Sequence, residues 1–566
     1  LLRKFKIPFE IVLISIVLIV HSYVVTAPAN NMMAWFSTDD AFYYFKVAQN
    51  IAEGFGSTFD RINLTNGYHP LWTFMLVPIF ALAKYDLVLP LRLTILLLAV
   101  VNAGTSIVLY RLLRRVSSKE IAMFMSLFWV LSPRIHGATV ELGMESGINA
   151  LFTAWLIYWV TKLEDFRSER KINRMSLIQA SIVAGLAVFS RLDNAFLAGV
   201  MGLWILFRFW QSSEKISVQD SWKRRFEVAV CYFAPWGLSL LIYMLINLAV
   251  FGTFMPVSGQ IKRWWGTLPN TVYGFPVDSF WVYLTHWVTP QENIGPWGLY
   301  TSIPHSLAYW VEGLLKLKGS EEVMKSTHRW LVLGFSAVGL GLILAVLRLK
   351  WSEFKQMAIK TGLPAFFVAC AIQLTTYKAT GYISMHNWYW VIELVWMAIA
   401  GAIFLECVFQ ILLRVIKNRW VWRMVLAAAS LSMLWTFVYV ITTLVPAKDE
   451  PGWEEAYMWG ARGLEANTEP GSLIGTPGGG ALGYFTKGRT IVNLDGLMNS
   501  YDYFKLLQKG QTRDFLDRIG LDYVYGAKYM LTESDPYWHA FKDNVMYIQK
   551  VEGTALFKYL PKSTKP

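Results

Sequence analysis

Runs of about 20 mostly apolar residues, the length that crosses the hydrocarbon core of a bilayer, recur along most of this chain. Eleven can be read: 8–27, 88–110, 120–138, 146–162, 176–190, 194–210, 227–250, 330–348, 361–379, 387–413 and 421–445. In lipid the backbone must satisfy its own hydrogen bonds, so runs of this kind are expected to be helices. The rest of the composition agrees. Of 566 residues 55% are hydrophobic and 16% charged, against about 25% charged in soluble domains. Too few charges remain to coat a soluble particle of this size. The same figures exclude a disordered chain, collagen and a coiled coil. Cys231, Cys370 and Cys407 all sit within apolar runs and imply no disulfide framework.

Basic residues orient the runs. Arg3, Lys4 and Lys6 precede the first; Arg111, Arg114 and Arg115 follow the second. Five positive charges lie between Lys162 and Arg174, after the fourth. Lys215, Lys223, Arg224 and Arg225 follow the sixth, Arg348, Lys350 and Lys355 the eighth, and Arg414, Lys417 and Arg419 the tenth. By the positive-inside rule these segments face the cytoplasm, and an odd number of spans places 446–566 outside. Removing 1–30 as a signal peptide would invert this pattern, so the first run reads as a span. The net charge of +13 is thus first a topology signal.

Three outer segments are long: 28–87, 251–329 and 446–566. In the first, 39–52 carries apolar residues at helical spacing and reads as an amphipathic helix on the membrane surface. The run 70–83 is too short to span and reads as a second surface or re-entrant helix. The second segment is rich in Trp, Tyr and Pro. In the third, 472–476, 490–496 and 522–526 read as strands and 501–510 and 512–520 as helices, which predicts a small α/β domain. The expected architecture is a polytopic α-helical membrane protein, a membrane unit over 1–445, with a C-terminal extracytoplasmic α/β domain over 446–566.

Ionisable residues at membrane depth or at its surface are costly and therefore candidates for function. Asp39 and Asp40 open the first outer helix, with Ser37 or Thr38 as its cap. Adjacent carboxylates suit either proton abstraction from an attacking hydroxyl or a hard divalent cation. Glu141 and Glu145 lie between runs three and four, near Arg134 and His136; Arg191 and Asp193 lie between runs five and six. His69 precedes the re-entrant run, and His386 stands at the outer end of run ten. Lys262 and Arg263, beside Trp264 and Trp265, are the outer basic pair best placed for an anionic head group. All fall on one face of the membrane. A cavity lined by such groups and by aromatics fits a substrate with an anionic head, a lipid tail and a polar ring, which describes a polyprenyl-phosphate sugar. Nothing points to nucleic acid. GGGALG (478–483) followed by Asp495 satisfies a dinucleotide fingerprint, but NAD is not supplied outside the cytoplasm, so no nucleotide cofactor is expected. A flippase for lipid-linked sugars would show repeat symmetry and mid-membrane polar residues, and neither is visible. An inactive accessory subunit would not need the acidic pair.

Taken in order, these motifs resemble the GT-C superfamily of integral-membrane glycosyltransferases. TDDAFYYFKVAQNIAEGFG (38–56) followed by NGYHPLW (66–72) is similar to bacterial polyprenyl-phosphate-dependent members, including the mycobacterial arabinofuranosyltransferases. GMES (143–146), SRLDNA (190–195), FGTFMPVSGQIK (251–262) and NLDGLMN (493–499) with DYVYG (522–526) resemble further motifs of that group. Phe42 stands where the subgroup often has Tyr, and Asp40 where many members have Glu. The resemblance implies an inverting transfer from a polyprenyl-phosphate sugar to a hydroxyl of a glycan, lipid or protein, on the outer face of a prokaryotic cell membrane. It makes Asp39 the general base. It gives Asp40 a supporting role, either assisting the base or holding Mg²⁺ or Mn²⁺. His69, Glu145, Arg191, Asp193, Lys262, Arg263 and His386 remain as expected substrate-binding residues.

Overall fold

A computed structural model of the chain describes residues 8–29, 32, 39–83, 86–141, 143–168, 173–211, 218–269, 271–283, 297–315, 320–383, 386–444 and 453–562. Each of the eleven apolar runs falls on a helix: Phe9–Thr26, Leu89–Leu113, Lys119–Leu131 with Pro133–Thr139, Ser146–Ser168, Arg174–Ser190, Ala195–Gln211, Val218–Phe251, Glu321–Thr361, Leu363–Ala379, Val391–Val415 and Arg419–Leu444. Among the described residues, 7 helices are long and apolar enough to cross a membrane, or 8 counting one bent pair. Three of the eleven fall short of that test. Arg174–Ser190 and Leu363–Ala379 have 17 residues each. Ser146–Ser168 buries the polar Asn149, Thr153 and Thr161 and ends on charges. Such helices lie among other helices, where packed neighbours substitute for lipid.

The bent pair is the third run. Pro133 cannot donate a helical hydrogen bond, and the Ser132 hydroxyl accepts from the Ile135 amide instead, so the helix turns by 61°. The helix Glu321–Thr361 has 41 residues, about 60 Å at helical rise, and so outruns the bilayer. It kinks at Lys350, whose φ of −132° is non-helical.

The basic connections gather at one end of the bundle. Glu10 pairs with Arg111, Asp165 with both Arg115 and Lys360, and Glu120 with Arg423. The first helix begins there, with Phe9 against Tyr110, and ends at the opposite end, where Arg92 donates to the Ala27 carbonyl at 3.0 Å. The tail docks at that opposite end, where the Tyr484 hydroxyl donates to the Leu87 carbonyl at 2.8 Å, so the start of the first helix and the tail lie at opposite ends of the bundle.

Ser37 and Thr38, the expected caps, lie outside the described residues. The helix Asp40–Ala52 begins directly after Asp39. It is buried nearly all round, including Phe42, Tyr43, Tyr44, Phe45 and Val47, so it is not a surface helix with one wet face. The tail supplies the cover: Phe42 packs between Phe45, Tyr484 and Phe485, at ring separations of 5.3, 5.5 and 5.4 Å. The helix Pro70–Leu82, 13 residues long and opened by Pro70, packs beside it. Among the described residues the second outer segment includes the helices Val257–Trp265 and Gly298–Leu314, with helical residues also at 280–283. The helix Gly298–Leu314 packs along Glu321–Thr361, and the Tyr300 hydroxyl donates to the Met397 carbonyl, more than a turn inside the Val391–Val415 helix.

The tail forms a five-stranded sheet of β1 (Leu473–Thr476), β2 (Thr490–Asn493), β3 (Tyr523–Tyr525), β4 (Val545–Val551) and β5 (Thr554–Tyr559), in the order β2-β1-β3-β5-β4. The strands β2, β1 and β3 are parallel; β5 and β4 are antiparallel. The three expected strands are therefore present. The β4–β5 hairpin was not anticipated, because its turn uses Glu552 and Gly553, with φ of 46° and 80°, rather than an Asn-Gly pair. Tail residues such as Ala481 and Tyr484 share one continuous buried core with the membrane helices.

Candidate active site

The acidic pair is divided by its neighbours. Asp39 Oδ2 accepts from the Gly480 amide at 2.9 Å and Oδ1 from the Ala481 amide at 2.7 Å. These are the first amides of the tail helix Gly480–Phe485, which opens from the three-glycine turn after β1. The turn thus has the strand-turn-helix form of a dinucleotide fingerprint, yet its amides hold a carboxylate of this chain. Gly478 likewise donates to Asp495 Oδ2 at 2.8 Å. Burial pushes Asp39 up to about 6 even though the amides favour its charge. Asp40, half-buried, is within electrostatic reach of His386, Tyr389 and Asp495.

Glycine is required where the tail helix meets Asp39. A Cβ on Gly480 would stand 2.4 Å from the Asp39 carbonyl oxygen. Gly480→Ala should therefore push the helix away and loosen the tail, by roughly 1–3 kcal/mol as for other overpacked contacts. Amide exchange over 480–485 should accelerate; unchanged exchange there would mean that the contact carries no docking energy.

A second cluster is built around Arg191, which ends the Arg174–Ser190 helix in an extended conformation. Its guanidinium donates to Glu145 Oε1 at 2.8 Å and to both oxygens of Asp193, at 3.2 and 3.1 Å. Asp193 Oδ2 also accepts from the Tyr377 hydroxyl at 2.8 Å and from Gln373 at 2.9 Å. Arg191 stacks over Tyr389, whose hydroxyl accepts from Lys262 Nζ at 2.7 Å. His69 caps the Pro70–Leu82 helix and approaches Glu145 at 3.7 Å; burial depresses its pKa to about 4, so it is neutral. His386 stacks on Trp388 at 4.2 Å and 9°.

Six of the seven expected binding residues are therefore brought to one place: His69, Glu145, Arg191, Asp193, Lys262 and His386. Arg263 is not, because it follows Lys262 on a helix and points to the exposed side. Arg191 is 3% exposed and engaged with two carboxylates, which makes it a strut of the site rather than an open anion contact. Lys262 differs. Among the described residues it has no carboxylate partner, and its one hydrogen bond is to a neutral phenol. Tyr377, Gln373 and Tyr389 were not singled out from sequence; aromatic and amide side chains in apolar runs carry no signal that separates a ligand from packing.

Two carboxylates near the expected cation ligand Asp40 are taken up by backbone amides. The Asp39 oxygens face amides and those of Asp495 accept from Gly478 and Leu497. Among the described residues no three His, Cys, Asp or Glu side chains are grouped to hold a metal.

No family model matches the sequence, and no curated protein matches it. Solved structures do. The apo oligosaccharyltransferase of Archaeoglobus fulgidus superposes with a TM-score of 0.54 at 14% identity, over 99% of this chain and 75% of that one. The same enzyme tethered to an acceptor peptide gives 0.52 at 13%, again over 99% and 75%. In complex with an inhibitory peptide and a dolichol-phosphate it gives 0.50 at 12%, over 100% and 75%. At these identities what this chain shares with them is the overall fold: it has the GT-C fold.

Proposed function

We propose that the chain is a membrane glycosyltransferase that moves a sugar from a polyprenyl-phosphate donor to an acceptor hydroxyl, with inversion. The acceptor belongs to a glycan, a lipid or a protein. By the distribution of basic connections the site faces outward from a prokaryotic cell membrane, with 1–445 as the membrane unit and 446–566 as the outer unit. One arrangement carries this reading. Asp40 is within electrostatic reach of a stacked His386–Trp388 pair and of Tyr389, which binds Lys262, a cation without a carboxylate partner among the described residues. The dolichol-phosphate held by the archaeal enzyme supports a lipid-phosphate donor.

In this reading Asp40 takes the proton of the acceptor hydroxyl as its oxygen bonds to the anomeric carbon. The bond from that carbon to phosphate breaks, and its electron pair leaves with the polyprenyl phosphate, whose charge Lys262 meets. Aromatic faces at Trp388 and Tyr389 suit the sugar ring. Asp39 acts as a positioning residue that holds the tail beside its neighbour.

Lys262→Ala should weaken binding of a polyprenyl-phosphate donor by about 10- to 100-fold, the worth of one charged hydrogen bond to phosphate. Arg263→Ala should leave it unchanged. Equal donor affinity in both variants and the unaltered protein would place the phosphate elsewhere.

A further inference from the structure

On the opposite side of the Asp40–Ala52 helix lies a cavity of about 450 Å³, walled by that helix, by the loop through Asp60 and by the tail. Lys46, Gln49 and Glu53 line it at helical spacing, on the face away from Asp40. Lys487 and Arg489 enter from the tail, and Arg61 from the loop. Phe59, Leu87, Tyr484 and Ile491 form its apolar wall, and Leu87 stands just before the Leu89–Leu113 span. The cavity is therefore at the level where a bilayer meets water.

Its charges do not cancel. Glu53 is paired with Arg61. The Asp60 carboxylate is enclosed by the amides of Ile62 and Asn63, at 2.9 and 2.7 Å, and by the Asn63 side chain. Among the described residues Lys46 Nζ is bonded only to the neutral Gln49 carbonyl, at 3.3 Å. Arg489 is bonded to the hydroxyl and carbonyl of Thr468 and to the carbonyl of Glu465. Among the described residues the side chains of Lys46, Lys487 and Arg489 form no ion pair, although the Lys487 amide donates to Glu465 Oε1 at 2.6 Å and Glu469 is within electrostatic reach of Arg489. Arg61 is held at φ 62°, in the left-handed region that a branched-free but bulky side chain rarely adopts, and such strain concentrates at ligand sites. Cations from two separate segments, facing an apolar wall at the bilayer surface, need an anion that carries its own polar atoms and a short apolar body.

We propose that this cavity binds a phosphate ester of glycerophosphate size, the phosphate between Lys46, Lys487 and Arg489. The ligand is either a soluble phosphate ester or the head group of an anionic phospholipid. Bound there, it ties the outer helix to the tail. The proposal is independent of the transfer reaction, since it concerns residues on the other face of the helix.

Burial depresses Lys46 to about 8, with Arg61 adding to the effect and Glu53 opposing it. A bound phosphate would favour the ammonium and raise that value, so occupancy should slow reaction of Lys46 with an amine-directed reagent. Labelling of the full chain at pH 7, read peptide by peptide by mass spectrometry, tests this. A one-unit rise corresponds to about tenfold slower labelling. Inorganic phosphate and glycerol 3-phosphate are titrated in detergent, and phosphatidylglycerol nanodiscs are compared with phosphatidylcholine nanodiscs. Protection by the soluble esters assigns a soluble ligand, and protection only in phosphatidylglycerol assigns a lipid head group; either supports the site. Lys487→Gln should weaken the protecting ligand by roughly three- to fivefold, whereas Lys262→Ala should not alter protection. No protection in any arm, or protection unaffected by Lys487→Gln, overturns the proposal.

Discussion

Asp40→Asn is expected to lose transfer by about 10²–10⁴-fold while donor affinity and tail docking stay unchanged, because the variant keeps the shape and removes the basicity of the proposed base. The adjacent carboxylate should behave differently. Asp39→Asn replaces one acceptor oxygen with an NH₂ that confronts a backbone N–H of Gly480 or Ala481. Its loss of activity should come with faster amide exchange over 480–485, and with resistance to proteolysis reduced in the tail. The two variants thus separate chemistry from positioning. If Asp40→Asn turns over normally while Asp39→Asn is inactive with the tail still docked, the base is Asp39, as the family resemblance implies.

The second large effect is structural. Arg191→Met should destabilise the protein by about 3–5 kcal/mol, the usual cost of leaving buried charges without their partner. Here two carboxylates, Glu145 and Asp193, lose the same guanidinium, and Glu145 is 1% exposed. The measurement is thermal or denaturant unfolding in detergent. Adding Glu145→Gln and Asp193→Asn to Arg191→Met should recover much of the loss, since neutral amides need no counter-charge. A change below about 1 kcal/mol for Arg191→Met alone would mean that water reaches the cluster and that Arg191 is available to substrate after all.

Most of the helical frame was legible because lipid imposes one rule on every span: a helix of about 20 apolar residues. Every run read from hydropathy lies on a helix, down to the 17-residue Leu363–Ala379. The breaks were less visible. Pro133 follows Ser132 in plain view, but a proline in a membrane helix also allows a mild kink, and only packing sets the 61° bend. The helix Gly298–Leu314 was missed because its Trp, Tyr and Pro content resembles an interfacial loop.

The site was legible as a set of residue types on one face, and six of seven binding candidates do meet there. What each does was not legible. Arg191 and Lys262 are both outer cations in sequence, yet one is saturated by two carboxylates and the other touches a phenol. Asp39 and Asp40 are neighbours in sequence, yet successive helical residues point about 100° apart, so one accepts from the amides of the tail helix and the other is within reach of His386, Tyr389 and Asp495. The glycine turn at 478–480 shows the same limit. Its local geometry, strand then turn then helix, follows from the sequence, because glycine alone adopts φ of 77° and 87° without strain. Which anion its amides receive depends on a residue 441 positions away. Hydropathy, charge bias and turn chemistry act over a few residues and so determine spans, sidedness and local elements. Partners in a buried polar network are chosen by desolvation, which exists only once the tail has closed over the outer helix.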